Sequence, residues 1–342
     1  MFQRGTPPEA VYTFKHALVQ DAAHGSLLRS SRQQLHAQIA DTLATHFPEL
    51  KDSQPQLLAQ HYAEAGLVEK SVAYWDRAGR RSAARSAMAE AAAQFHKALE
   101  QLALLPDGCE RQRRELELRT ALGTVLFAVK GQAAPETGRA FARARELWEQ
   151  LGSPPRFLRA ACGEASYHAF RGESDAALRL NESLLRLSRH RNDSTGLVLG
   201  HFSSGRDLMF AGRFASSRSH LEEVRALYDV SDSSLVQQTG FYPHVNSQGL
   251  LGIVLFCLDF PDQAFARSLS AVVEARKLGH LRSLAISLTN GTTVLSFLGD
   301  SAALDEWMDQ AVAVTTEQGF PVWRAQGAIL RGWGKGQERR RG

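Results

Sequence analysis

Apolar positions recur at three- and four-residue spacing along most of this chain, and no stretch sustains the alternation that a half-buried strand requires. Leu57, Leu58, His61, Tyr62 and Ala65 fall on one face of a predicted helix. Gly66 ends that helix, because glycine enters the left-handed C-cap conformation without steric cost. Val72, Trp75, Ala78 and Gly79 continue the pattern on a second helix. A turn at Ser86 then leads into Ala91, Phe95, Ala98, Leu99 and Leu102. Pro106 closes this element, since proline has no amide hydrogen to offer a helix interior.

The same unit recurs: a small residue at a turn, another about five positions on, then an apolar helix. Gly66, Ser86, Gly172, Gly212, Asp259 and Gly299 are the predicted turns. Ala177 follows Gly172, with Leu178, Leu184 and Leu185 as the apolar face. Ser217 and Val224 take the alanine places after Gly212, Ala264 and Ala271 follow Asp259, and Leu304 and Ala311 follow Gly299. From Gly172 the turns are 40, 47 and 40 residues apart. Leu151-Gly152, Leu278-Gly279 and Gln318-Gly319 are expected to end second helices. Small residues at matching places let paired helix backbones approach closely, so the expected fold is all-α, an array of stacked helix pairs.

Two stretches break the rhythm. Residues 130–139 are expected to form a long turn, and residues 230–243, rich in serine and glutamine, an irregular segment. Long loops in repeat proteins can carry function, but a tolerated insertion is the more economical expectation. Gly319-Phe320-Pro321 opens one more first helix, with Val322, Trp323, Ile329, Leu330 and Trp333 on a face that no second helix covers. A frayed C-terminus and a chain that is a piece of something larger are therefore expected.

Composition narrows the class without naming a role. The chain has 342 residues, of which 44% are hydrophobic and 22% charged, with 40 basic and 36 acidic side chains. Arginines such as Arg143, Arg145, Arg186 and Arg276 are spread over several helices, whereas nucleic-acid binding favours a cluster on one element. Arg77, Arg80, Arg81 and Arg85 do lie near one helix face, which reads as a solvated surface. The tail at residues 334–342 is basic and lacks a core-forming pattern. Cys109, Cys162 and Cys257 are odd in number and form no CxxC pair, which fits buried thiols in a reducing compartment. The start has no apolar signal region, and the most apolar run, residues 249–258, is too short for a membrane span of about 20 residues. A cytoplasmic location follows as the expectation.

Catalytic signatures are missing. The chain holds no H-E-x-x-H, no G-x-S-x-G and no G-x-x-x-x-G-K-[ST]. Its single Gly-Lys, Gly334-Lys335, is followed by Gly336 instead of the hydroxyl residue a phosphate-binding loop needs. His16 and His61 read as packing or hydrogen-bonding residues. No catalytic, cofactor-binding or metal-binding residue is predicted, no cofactor is expected, and the chain is not expected to be an enzyme.

Ser86, Ala91, Phe95, Ala98-Leu99 and Pro106 together resemble the second half of a tetratricopeptide repeat. The resemblance implies a right-handed α-solenoid over residues 51–333. Tyr12-Thr13-Phe14-Lys15-His16-Ala17-Leu18-Val19-Gln20-Asp21-Ala22-Ala23, with Leu27-Leu28-Arg29 and Arg32-Gln33-Gln34-Leu35-His36 after it, resembles the segment that closes the ATPase module of bacterial multidomain signalling ATPases. His61-Tyr62-Ala63-Glu64-Ala65-Gly66 is similar to the first repeat of the array in the same proteins, many of which are fused to a class III adenylate or guanylate cyclase domain. His24 departs from the tyrosine usual there.

The resemblance implies that residues 1–50 are the helical tail of an otherwise absent ATPase module. It further implies a regulatory, non-catalytic scaffold that binds a protein or peptide in its concave groove, with an ATPase or cyclase domain as a possible partner and neither membrane nor nucleic acid. The alternatives are a detached subunit of a nucleotide-controlled cyclase or ATPase acting in trans, and a fragment of a transcriptional regulator.

Overall fold

The computed structural model describes residues 2–4, 11–13, 22, 25–228, 234–317 and 329. The chain divides into two compact units, residues 1–111 and 112–342. His16, residues 318–328 and residues 330–342 lie outside the described residues. So do most of the residues 12–24 motif and the expected uncovered final helix, of which Ile329 alone is described, as an exposed residue.

In the first unit, β1 (Phe2–Arg4) pairs antiparallel with β2 (Val11–Thr13), Phe2 opposite Thr13. This three-residue ladder was not predicted, because strands so short leave no detectable alternation. Helices α1 (Arg29–His46), α2 (Leu50–Ser53), α3 (Pro55–Glu64), α4 (Val68–Ala84) and α5 (Met88–Leu102) follow. Pro55 occupies the first turn of α3, where its missing amide hydrogen costs nothing. Helices α4 and α5 pack closely because Gly79 faces Phe95: a Cβ at Gly79 would lie 2.6 Å from the ring. Phe95 is 1% exposed, and burial of a side chain of that size stabilises by roughly 1.5–3 kcal/mol.

The second unit is built of helix pairs. Most of α6 (Cys109–Lys130) pairs with α7 (Pro135–Gln150), and α8 (Leu158–Phe170) with α9 (Ser174–Arg191). Helix α10 (Ser194–Phe210) pairs with α11 (Phe214–Leu227), and the short α12 (Ser234–Thr239) intervenes. Helix α13 (Pro243–Cys257) pairs with α14 (Pro261–Lys277), and α15 (Leu281–Leu298) with α16 (Ser301–Glu317). Successive first helices also touch: α10 packs against α8 and α13, and α13 against α15.

All six predicted turn residues have positive φ, from 61° at Ser86 to 78° at Gly172. Gly152 and Gly279 do as well, ending α7 and α14 as expected. Five of the six turns share one closure, in which an amide reaches back five residues: Leu67 to Tyr62, Ala87 to Ser82, Glu173 to His168, Arg213 to Leu208 and Phe260 to Leu255, each at 2.9 Å. This bond satisfies carbonyls that a helix end leaves open, and it requires the left-handed residue just before it. The residue five positions after each turn is buried: Ser71, Ala91, Ala177, Ser217 and Ala264 are 0% exposed and Leu304 5%. Serine can replace alanine there because Ser71 Oγ donates to the Ala59 carbonyl at 3.0 Å and Ser217 Oγ to the Gly205 carbonyl at 2.6 Å.

Three expectations are corrected. The long turn at residues 130–139 is short: α6 runs to Lys130, Gly131 turns at φ 96°, and Pro135 opens α7. The stretch 230–243 contains helix α12 and supplies Pro243 to the start of α13. The thiols are less buried than expected: Cys109 and Cys257 are exposed and Cys162 is partly covered. Both exposed cysteines sit at helix ends, Cys109 opening α6 and Cys257 closing α13, where apolar spacing does not report burial.

Candidate functional site

The second unit holds a partly open cavity of about 250 Å³, lined mostly by the first helices of its pairs. Its walls are aromatic. Phe127 comes from α6, Phe141 from α7, Phe170 from α8, Phe202 and Phe210 from α10, and Phe241 from the turn after α12. Phe170 and Phe210 meet at a centroid distance of 5.7 Å, and Phe202 and Phe241 at 5.3 Å. Gly163 and Gly123 leave room for the Phe141 ring between α8 and α6.

Into this apolar space the fold sets three arginines, Arg159 on α8, Arg206 on α10 and Arg282 on α15. Arg206 is matched: it binds the buried Asp207 at 2.7 Å, donates to Ser166 Oγ at 3.2 Å and lies over the Phe170 ring at 5.8 Å. Asp207 is held further by Asn181 Nδ2 at 2.8 Å. Arg159 differs. Its Nε donates to Thr124 Oγ1 at 2.9 Å and its Nη1 to the Thr239 carbonyl at 3.4 Å, both neutral oxygens. Part of its surface stays open to the cavity, yet protein surrounds it closely enough that burial, followed by the charge of Arg282, lowers its pKa to about 10. Burial lowers the Arg282 pKa too. Cys162 lines the same space, and burial pushes its thiol up to about 11, so it is a neutral group there.

Among the described lining residues there is no Asp or Glu. The amide groups of the lining are also incomplete. Gln132 Oε1, Asn246 Oδ1 and Asn290 Nδ2 are buried without a hydrogen-bond partner, a condition few native polar atoms tolerate. The arrangement suits a partly apolar ligand that carries its own hydrogen-bonding groups.

Little of this was singled out in the sequence. Arg143 pairs with Glu115 at 3.1 Å, Arg145 with Glu149 at 2.9 Å and Arg186 with Glu182 at 3.9 Å. On α4, Arg80 binds Asp76 at 2.9 Å and Arg77 binds Asp52. His61 Nδ1 lies 2.9 Å from His36 Nδ1 in the first unit. The two irregular stretches do reach the cavity, through Gln132 and Thr137 from one and Thr239 and Phe241 from the other. Among the described residues no group of three His, Cys, Asp or Glu is placed to hold a metal. None of the described helices is long and apolar enough to cross a membrane.

No protein-family model matches this chain. An uncharacterised protein of Rhizobium meliloti (strain 1021) is 24% identical over 335 residues, covering 96% of this chain and 32% of that protein. The chain thus spans about a third of the length of the curated relative it matches. Among solved structures, the apo form of RapI has a TM-score of 0.53 at 13% identity, covering 76% of this chain and 97% of that one. A Rap protein complexed with competence and sporulation factor has a TM-score of 0.52 at 10% identity, covering 94% and 98%. NprR in complex with its cognate peptide NprX has a TM-score of 0.53 at 10% identity, covering 86% and 81%. At such identities these likenesses speak for the fold alone. The fold is all-α, a tetratricopeptide-like array of helix pairs.

Proposed function

We propose that this chain is a non-catalytic helical-repeat receptor whose second unit takes a peptide or protein segment into the cavity between its first helices. The observation that carries this reading is the cavity itself: aromatic walls with buried polar groups that lack partners. Cavities of this kind, mostly apolar with a few convergent polar groups, are where proteins hold ligands. A peptide occupant is supported by fold-level analogy, since NprR holds its cognate peptide NprX in the complex named above.

The wider role is regulatory. We assign residues 1–50 to the tail of a signalling ATPase module, residues 51–333 to tetratricopeptide-like repeats and residues 334–342 to a basic tail. The motif at residues 12–23 supports this assignment, as does a relative about three times as long as this chain. Occupancy of the cavity would then be relayed to an ATPase or cyclase-type output domain in a bacterial cytoplasm.

Selection from a random peptide library against the full chain tests the binding role, with Ile286→Trp as a variant that fills the cavity. The expected outcome is a convergent set of peptides that loses at least about tenfold in affinity for the variant, given the cost of displacing a buried anchor. Failure to enrich any set, or peptides that bind the variant equally well, would refute it.

A further inference from the structure

We infer that the cavity recognises an amide group carried on an apolar or aromatic body, seating it between the side chains of Asn246 and Asn290. The inference rests on the reading of this cavity as a binding site and adds the chemistry of its occupant.

Two carboxamides reach the cavity from neighbouring first helices, Asn246 from α13 and Asn290 from α15. A glycine lets them approach one wall. An added Cβ at Gly249 would lie 3.0 Å from Asn290 Nδ2, so the Asn290 amide packs directly on the backbone of α13. Gly249 stands three residues after Asn246, about one turn along the same helix face. The two amides therefore line adjoining parts of the cavity.

Both are left incomplete by the fold. Asn246 is 2% exposed and its Oδ1 has no hydrogen-bond partner; Asn290 Nδ2 is buried in the same condition. Hydroxyls beside them in sequence are paired within their own helices. Ser247 Oγ donates to the His244 carbonyl, Thr289 Oγ1 to the Ala285 carbonyl and Thr292 Oγ1 to the Thr289 carbonyl, each at 2.8 Å. A short hydroxyl side chain turns back onto its helix in this way, whereas the Asn290 amide is held against the neighbouring helix instead.

A buried carboxamide atom without a partner costs stability, and two of them at one cavity point to a partner that enters it. One open atom accepts and the other donates. A half-turn of either carboxamide exchanges its ends, so the incoming group must be able to do both, as an amide does. The aromatic walls receive the body that carries it. The volume of about 250 Å³ lies just under the range of about 300–1,000 Å³ for pockets that hold whole ligands, so a single amide with one attached side chain fills the space.

Ligand-observed NMR titration of the full chain with phenylpropionamide, its N-methyl derivative and methyl phenylpropionate tests this on the unaltered protein. The three share one phenyl body, and the ester alone has no N–H to donate. The better amide should bind at least about fivefold more tightly than the ester, the penalty for leaving a buried acceptor unpaired. Preference for the N-methyl amide identifies a main-chain amide as the group recognised, and preference for the primary amide a side-chain carboxamide. Asn246→Leu and Asn290→Leu should each remove the discrimination against the ester without lowering the melting temperature, since each deletes a buried group that had no partner. Equal binding of amides and ester, or no binding of any of the three at about millimolar concentration, would overturn the inference. A melting temperature lowered in both variants would overturn it too, by making the two amides structural. Library peptides that bind and tolerate ester replacement at every amide would overturn it while leaving the peptide reading intact. Discrimination between the small amides and the ester with no library peptide bound would do the reverse.

Discussion

Asn181 Nδ2 donates to Asp207 Oδ2 at 2.8 Å, joining α9 to a carboxylate on α10 that is 1% exposed. Arg206 holds the other oxygen, its Nε at 2.8 Å from Oδ1. The charge is thus buried with both a cation and a neutral donor, the condition under which a buried carboxylate is tolerated. Asp207→Ala would leave Arg206 and Asn181 without their acceptor. A loss of about 3–5 kcal/mol is expected, read from urea denaturation, and a loss below about 1 kcal/mol would show that the network contributes no more than a surface pair.

The turns offer a test with opposite signs. Ser86 and Asp259 hold φ of 61° and 67° where the other main turns use glycine. A side chain in that region costs roughly 1–2 kcal/mol, part of which glycine loses again through its freer unfolded chain. Ser86→Gly and Asp259→Gly should each stabilise by about 0.5–1 kcal/mol, and Gly212→Ala should destabilise by about 1 kcal/mol. Thermal melts of the three variants would show the pattern, and stabilisation by Gly212→Ala would contradict it.

Close approach of helices makes a further prediction. A Cβ at Gly291 on α15 would collide with the ring of Trp307 on α16, and Trp307 belongs to the core of that pair. Gly291→Ala should cost about 1–3 kcal/mol through overpacking. Gly108→Ala, where nothing lies within 4 Å, should change stability by less than about 0.5 kcal/mol. Equal melting temperatures for the two variants would show that α16 yields easily.

His201 and His220 pack at a ring distance of 4.9 Å. Burial, then the neighbouring His220 and Arg189, holds His201 below its ordinary value of 6.5, against an opposing pull from Glu223. Burial and Arg189 do the same to His220, again against Glu223. The unfolded chain binds more protons than the folded one between the lowered values and about 6.5, so stability rises with pH across that window. The stabilisation is complete above about 6.5 and is lost as pH falls below it. Melting temperature should drop on acidification, and His201→Gln with His220→Gln should flatten that drop. A double variant with the original slope would place the effect elsewhere.

The array was legible because its signals are local. Gly172, Gly212 and Gly299 mark chain reversals through their own φ, and Ala91, Ala177 and Ala264 mark the tight contact five residues later. Serine and aspartate at two turns did not hide the register, since the apolar spacing on either side fixed it. The short β1–β2 ladder was not legible, since three paired residues carry too little pattern. The exposure of Cys109 and Cys257 is not legible either, since residue type does not report burial at helix ends.

The sequence by itself determined the helices, their turns and their pairing, because each depends on residues within one or two turns of one another. Only the tertiary structure decided the cavity. Arg159, Arg206 and Arg282 stand on three separate helices and look in the sequence like the surface arginines that meet a glutamate four residues away. Whether a guanidinium faces water, Asp207 or a second guanidinium depends on which first helices lie side by side, and burial is a property of that packing, not of the residue.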